Sequence, residues 1–223
     1  MASRVTTEVD RAPSCMCQIV PGGTLASVVA IEVNQVPSDA RRISIRGCSG
    51  SGKSTLGGRI SSALGIPFVE LDAHFHQANW TPLEDDAFRA RIAEVASEDA
   101  WVMDGNYSRV LSDVVDEKAD TIVLYDLPRS TVVRRIVRRT IRRAVRREEL
   151  WNGNREHVSN MFRRDPHRSI ILWSWSMHAT YHERNEELRR DPPSPDTRIL
   201  VIRSVDDERL VYAGLSLEGS DAR

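Results

Sequence analysis

The sequence predicts an α/β fold, a parallel sheet of five strands with helices packed on both faces. Three observations lead to it. From Arg42 onward, short apolar runs alternate with helical patterns. The runs are almost continuously apolar, as strands buried on both faces must be. The chain also has 223 residues, 40% hydrophobic and 28% charged, which suffices for one sizeable core.

The elements follow in order. Residues 1–40 show no clear period and carry Pro13, Pro21, Gly22, Gly23 and Pro37, so they read as a loosely ordered extension or as coding sequence upstream of the natural start. "ISI" is a short strand ending at Gly47, and Lys53 to Leu64 reads as a helix closed by Gly65. "PFVELD" is the second strand, closed by Asp72. "EDDAFRARIAEVAS" places Phe88, Ile92 and Val95 at helical spacing. "AWVMD" and "TIVLYD" are the third and fourth strands, the latter followed by a long helix from about Ser130. "TRILVIRS" is the fifth strand and "DDERLVYAGL" the closing helix. Residues 140–190 break the alternation and read as an insertion, with "RRDPPSPD" as a proline-rich return.

Composition narrows the setting. The net charge of −1 does not point to nucleic acid or membrane. Cys15 and Cys17 are too close together to staple anything and Cys48 lies in a glycine loop, so the expectation is a reducing cytoplasm. No apolar run reaches the roughly 20 residues of a membrane helix. "IVPGGTLASVVAIEV" is broken by Pro21, Gly22 and Gly23, and Glu8 and Asp10 interrupt any signal-peptide pattern.

The chemistry-bearing stretch is Gly47-Cys48-Ser49-Gly50-Ser51-Gly52-Lys53-Ser54, which satisfies G-x-x-x-x-G-K-[ST] between an expected strand and an expected helix. Glycines let backbone amides converge on an anion, and the helix adds its positive end. Amides from Ser49 to Ser54 are expected to wrap a triphosphate, with Thr55 beside them. Lys53 would bridge the outer phosphates and the Ser54 hydroxyl would ligate Mg²⁺. The metal also needs a carboxylate at a strand end. Asp104 leads into "GNYSR", a polar turn at the carboxyl edge where such sheets bind ligands, whereas Asp126 leads into Leu127-Pro128 and a helix. Asp104 is therefore the expected metal-side residue.

"GCSGSGKSTL", "LGIPFVELD", "WVMDGNYS", "ADTIVLYDLPRSTVVRRIVRR" and "NRE" together resemble small P-loop nucleotide kinases, the adenylate-kinase-like or DNA topology modulation proteins, over about residues 42–210. The resemblance implies a P-loop NTPase three-layer domain over 41–223, with a helical lid insertion at about 134–190 and "AWVMD" beside the loop strand. It implies ATP as phosphoryl donor, Mg²⁺, and a small-molecule acceptor, a nucleotide or nucleoside. By the same match Arg135 lies near the adenine and Arg139 near the phosphates, and Asp72 faces the acceptor. "MDGNYSR" is similar to the adenylate kinase "DGFPR" segment, but Asn-Tyr-Ser replaces Phe-Pro and Arg109 stands one residue further on.

Paired arginines recur at 134/135, 138/139, 142/143 and 146/147, with Val133, Val137, Ile141 and Ala144 interleaved, an amphipathic basic helix. It fits a lid whose inward arginines stabilise phosphoryl charge, a nucleic-acid patch, or a solvated face. Arg155, Arg163 and Arg164 are further lid candidates, and Trp151, Trp173 and Trp175 suit packing or base stacking. His74 and His76 form a metal-like pair without a spaced third ligand. Two other functions stay open: an ATP-binding regulator that contacts nucleic acid through the arginine helix, and a triphosphate hydrolase without acceptor.

Overall fold

The apolar runs become the centre of a parallel sheet in the computed structural model, which describes residues 31–146, 149–154 and 170–221. Six strands lie in the order β1-β6-β5-β2-β4-β3. They are β1 (Ile31–Val33), β2 (Arg42–Gly47), β3 (Phe68–Glu70), β4 (Trp101–Asp104), β5 (Thr121–Tyr125) and β6 (Arg198–Ile202). The loop-bearing β2 sits between β4 and β5, all parallel.

The expected five strands are corrected to six. The extra edge strand β1 falls where residues 1–40 carried no readable period, and it runs parallel to β6 from the Ile31–Arg198 pair to the Val33–Leu200 pair. Three residues ahead of Pro37 are too few to show a period of two, and the strand is specified by its partner rather than locally. Val36 and Ala40, just beyond it, are buried in the core. Cys15 and Cys17 lie outside the described residues.

Alternation along the strands divides the interior in two. Ile43, Ile45, Val123 and Leu200 face α1 (Lys53–Leu64), α5 (Arg129–Arg146) and α7 (Val205–Asp221). Trp101, Met103, Ile122 and Ile199 face α2 (Leu71–Phe75), α3 (Asp85–Val95) and α4 (Ser108–Leu111). α1 closes on Gly65 in the left-handed conformation, as its sequence indicates. α3 buries Phe88 and Ile92, and α7 starts from a reciprocal cap between Ser204 and Asp207. Asp72 does not close a strand: β3 ends at Glu70 and Asp72 stands in the first turn of α2, whose Leu71 is drawn into the core. On α5 the buried stripe is Val132, Ile136 and Thr140, while Ile141, expected on the apolar side, is 49% exposed.

α6 (Ile170–Arg190) returns from the insertion and seats on the end of β5. Asn185 Nδ2 donates to the Tyr125 carbonyl at 3.0 Å, His178 Nε2 lies 2.9 Å from the Leu127 carbonyl, and His182 Nδ1 lies 2.8 Å from Asp126. Arg46 is buried on the other side of β2. Its Nη2 donates to Asp116 Oδ1 at 2.5 Å and its Nη1 to the Gly105 carbonyl at 2.6 Å, and Ser44 Oγ donates to the same Asp116 oxygen. This buried pair fixes the end of β2 against the turn after β4, where both halves of the site emerge.

Breaking a buried pair from one side leaves a desolvated charge behind. Asp116→Ala should therefore cost about 3–5 kcal/mol, read as a lower urea midpoint by circular dichroism. The double replacement Arg46→Leu with Asp116→Leu should recover part of that loss, and an unchanged midpoint in Asp116→Ala would deny the pair any role.

Candidate active site

The loop joining β2 to α1 depends on glycine at two points. Gly47 has φ +145° and Gly50 φ +81°, and a Cβ would approach Tyr125 Cβ to 2.5 Å at the first and Ile136 Cγ1 to 2.3 Å at the second. Neither the conformation nor the space admits a side chain.

The loop's carbonyls are held from behind. Gly47 O accepts from Asn106 Nδ2 at 2.6 Å and from Lys53 Nζ at 2.8 Å, and Cys48 O accepts from Lys53 Nζ at 3.2 Å. Ser49 O accepts from Ser174 Oγ of α6 at 3.3 Å, and Ser51 O from Arg135 Nη1 at 2.5 Å. Asn106 Oδ1 also accepts the Gly47 N–H at 3.1 Å, so one side chain clamps both polar groups of that residue. The first amides of α1 have no partner within the helix, and Gly52 supplies no side-chain cap. An anion at this position meets N–H groups and the positive end of α1.

Arg135 owes its place to Glu208, a buried residue of α7. Glu208 accepts from Arg135 Nη2 at 2.5 Å, from Tyr125 OH at 3.1 Å and from Tyr212 OH at 3.3 Å. That hydrogen bond holds the guanidinium above its ordinary pKa despite partial burial. The resemblance places Arg135 near an adenine; its guanidinium here spans Glu208 and the loop backbone. Arg139, one turn on, brings Nη2 to 3.4 Å from Ser49 Oγ. Arg134, Arg138, Arg142 and Arg146 are exposed.

Beside the loop stands a polar cluster. Ser54 Oγ donates to Asp104 Oδ2 at 2.6 Å. Burial raises the Asp104 pKa to about 6, against the pull of Lys53 and Ser54 and with the help of Asp72 and Glu70. Burial likewise pushes Lys53 down, while Asp104 and Asp72 draw it back up. A hydroxyl and a carboxylate side by side at this glycine-rich turn are hard oxygen donors, and they fit Mg²⁺, which takes few protein ligands beside phosphates and water. Tyr107 OH donates to Asp72 Oδ1 at 2.6 Å, and burial with that carboxylate drives the phenol pKa upward.

Residues 149–154, in the segment between α5 and α6, dock on the opposite wall. Trp151 Nε1 donates to Glu70 Oε2 at 2.9 Å, Asn152 Nδ2 to the His76 carbonyl at 2.6 Å and Asn154 Nδ2 to the Gln77 carbonyl at 2.9 Å. The Trp151 ring stacks on His76 at 6.2 Å, and Trp80 meets both edge-on.

The structure thus gathers Gly47, Ser49, Gly50, Ser51, Gly52, Lys53, Ser54, Arg135, Arg139 and Asp104 around one loop, with Asp72 across from Lys53. Thr55 is exposed on the first turn of α1. Among the described residues no group of three His, Cys, Asp or Glu side chains could hold a metal ion, so His74 and His76 have no third ligand there. Asp126 pairs with His182, and exposed Arg109 pairs with Asp85 at 2.7 Å. Trp173 packs against the core, and Trp175 lies 5.0 Å beneath the Arg129 guanidinium. Arg155, Arg163 and Arg164 lie outside the described residues. Asn106, Tyr107, Glu208 and Ser174 escaped sequence reasoning. The only trace of the first two was the departure of "GNYSR" from the adenylate kinase pattern.

No family model matches the chain, and no curated protein matches it. Among solved structures it is similar to a gluconokinase from Sinorhizobium meliloti 1021, at 23% identity and TM-score 0.44, over 82% of this chain and 95% of that one. It is also similar to a shikimate kinase from Acinetobacter baumannii, at 18% identity and TM-score 0.47, over 83% and 98%. A deoxyadenosine kinase from M. mycoides is similar at 13% identity and TM-score 0.41, over 79% and 99%. No helix among the described residues is long and apolar enough to cross a membrane.

The raised pKa of Asp104 is also a statement about stability. Between about pH 4 and pH 6 the folded chain holds a proton that the unfolded chain has released, so stability falls as pH rises through that window. Asp104→Asn keeps an acceptor for Ser54 and removes the charge. It should be more stable than the parent by up to roughly 3 kcal/mol at pH 7.5, with the gap closing by pH 4. Melting curves across pH test this, and a variant less stable at every pH would refute it.

Proposed function

We propose that the chain is an ATP- and Mg²⁺-dependent phosphotransferase acting on a small-molecule acceptor. The adenylate-kinase-like version of this reading takes a nucleotide or nucleoside as acceptor. The observation that carries it is the Ser54–Asp104 hydrogen bond, set beside Lys53 on a loop whose carbonyls are tied back.

The amides of Ser49 to Ser54 receive the β- and γ-phosphates of ATP, and Gly47, Gly50 and Gly52 let the backbone approach them closely. Lys53 exchanges the Gly47 and Cys48 carbonyls for phosphate oxygens without moving its backbone. Ser54 and Asp104 would hold Mg²⁺, Asp104 through water, and the bound ion supplies charge neutralisation to the polyphosphate. Arg139 reaches the same phosphates from α5. Arg135 positions the loop through Ser51 and borders the base. Asp72, oriented by Tyr107, takes the proton of the acceptor. Catalysis here consists of placement and charge stabilisation.

A lesser reading rests on the exposed side chains of Arg134, Arg138 and Arg146, which face solvent along α5 and suit nucleic-acid phosphates. Filter binding across a salt series separates the two: retention that falls steeply with salt favours this reading, and none at low salt removes it.

For the kinase reading, Lys53→Ala should keep the fold and lower kcat/KM by at least about 10²–10³-fold. Ser54→Ala should weaken the magnesium dependence of ATP binding measured by calorimetry. Parent-like turnover in Lys53→Ala would overturn the proposed donor site.

A further inference from the structure

We infer that the acceptor presents an alcohol hydroxyl to Asp72, on a neutral polyhydroxylated ring, and that this site does not take a nucleoside monophosphate. The inference rests on the phosphotransferase reading above and narrows its acceptor.

The acceptor wall is built of carboxylates and rings. Glu70 and Asp72 both act electrostatically on Asp104, and with Glu70 held by Trp151 and Asp72 by Tyr107 a phosphate dianion here would meet like charge from several sides. Lys53 of the donor loop acts on Asp104, and Arg139 acts on Lys53 from α5. Arg109, in the segment similar to one that ends in arginine in adenylate kinases, is 80% exposed and turned to Asp85 on α3. Arg46 lines a cavity beside Asn106 and Tyr181 but is committed to Asp116 and the Gly105 carbonyl.

Carboxylates accept hydrogen bonds from hydroxyls, and aromatic faces take up the C–H side of a ring. Both kinds of group are present. Tyr107 fixes Asp72 through Oδ1, and Oδ2 accepts the hydroxyl proton. Trp151, His76 and Trp80 form the aromatic side, with Trp151 anchored on Glu70 by the docked segment. In the transfer, the acceptor oxygen bonds to the γ-phosphorus of ATP as the bond to the β–γ bridging oxygen breaks. The electron pair leaves with ADP, and the hydroxyl proton passes to Asp72 and then to solvent. ATP and an alcohol thus yield ADP, a phosphate monoester and one proton.

The test gives the full chain ATP and magnesium with a panel of monosaccharides, cyclic polyols, nucleosides and nucleoside monophosphates, and follows products by ³¹P NMR and mass. The expected product is a monoester of an alcohol. Nucleoside diphosphate formed from a monophosphate would overturn the inference, as would saturable ATP binding with no alcohol phosphorylated. Loss of ATP binding itself would instead sink the donor-site reading. With an alcohol that is turned over, Asp72→Asn should lower kcat about 10²–10⁴-fold with little change in KM. Trp151→Ala should raise the acceptor KM while ATP affinity by calorimetry stays unchanged. A KM unmoved by Trp151→Ala, or a kcat unmoved by Asp72→Asn, would count against this wall as the acceptor site.

Discussion

A backbone that is to receive an anion must present its amides and dispose of its carbonyls. In this chain the second requirement governs the first. The carbonyls of Gly47, Cys48, Ser49 and Ser51 are held by Asn106, Lys53, Ser174 and Arg135, which come from four different parts of the sequence. Two glycines whose missing Cβ atoms would strike Tyr125 and Ile136 let the loop lie close enough for those bonds to form. Because buried polar groups are costly when unpaired, each bond also penalises loop shapes that would turn a carbonyl to the other side of the loop.

The charge pattern around the loop is deliberately uneven. Lys53 and Asp104 are both disfavoured by burial, each eased by the other, and Asp72 raises Asp104 while stabilising Lys53. Opposed shifts of this kind arise where burial acts on both members of an oppositely charged pair. On the far side, buried Glu208 accepts hydrogen bonds from Arg135 and from two tyrosine hydroxyls. The helix that carries the paired arginines is thus tied to α7 by an ion pair.

Most of the frame was legible from local pattern. Apolar runs and Gly65 marked strands and helix ends, and the turn after Asp104, unlike the one after Asp126, pointed to the sheet edge where the geometry now sets Ser54 against a carboxylate. What stayed hidden depends on distance along the chain. Strand β1 exists because β6 offers it an edge, and its three residues carry no period of their own. Asn106 looked like a turn residue and Glu208 like an acidic first-turn residue of a helix, roles their local sequence fully explains. Their partners stand 59 and 73 positions away, so only the folded chain assigns them further work. The buried stripe of α5 was misread for a different reason: arginine pairs recurring every four residues left both Val132–Ile136 and Val133–Val137 at helical spacing, and only packing chooses between them.

The tie between Glu208 and the Ser51 carbonyl, relayed by Arg135, has a bearing on biosynthesis. Translation delivers the loop before its brace, and a nascent polypeptide cannot complete the relay from Glu208 through Arg135 to Ser51 until α7 clears the ribosome. Until then Arg135 lacks the carboxylate that orients it toward the Ser51 carbonyl.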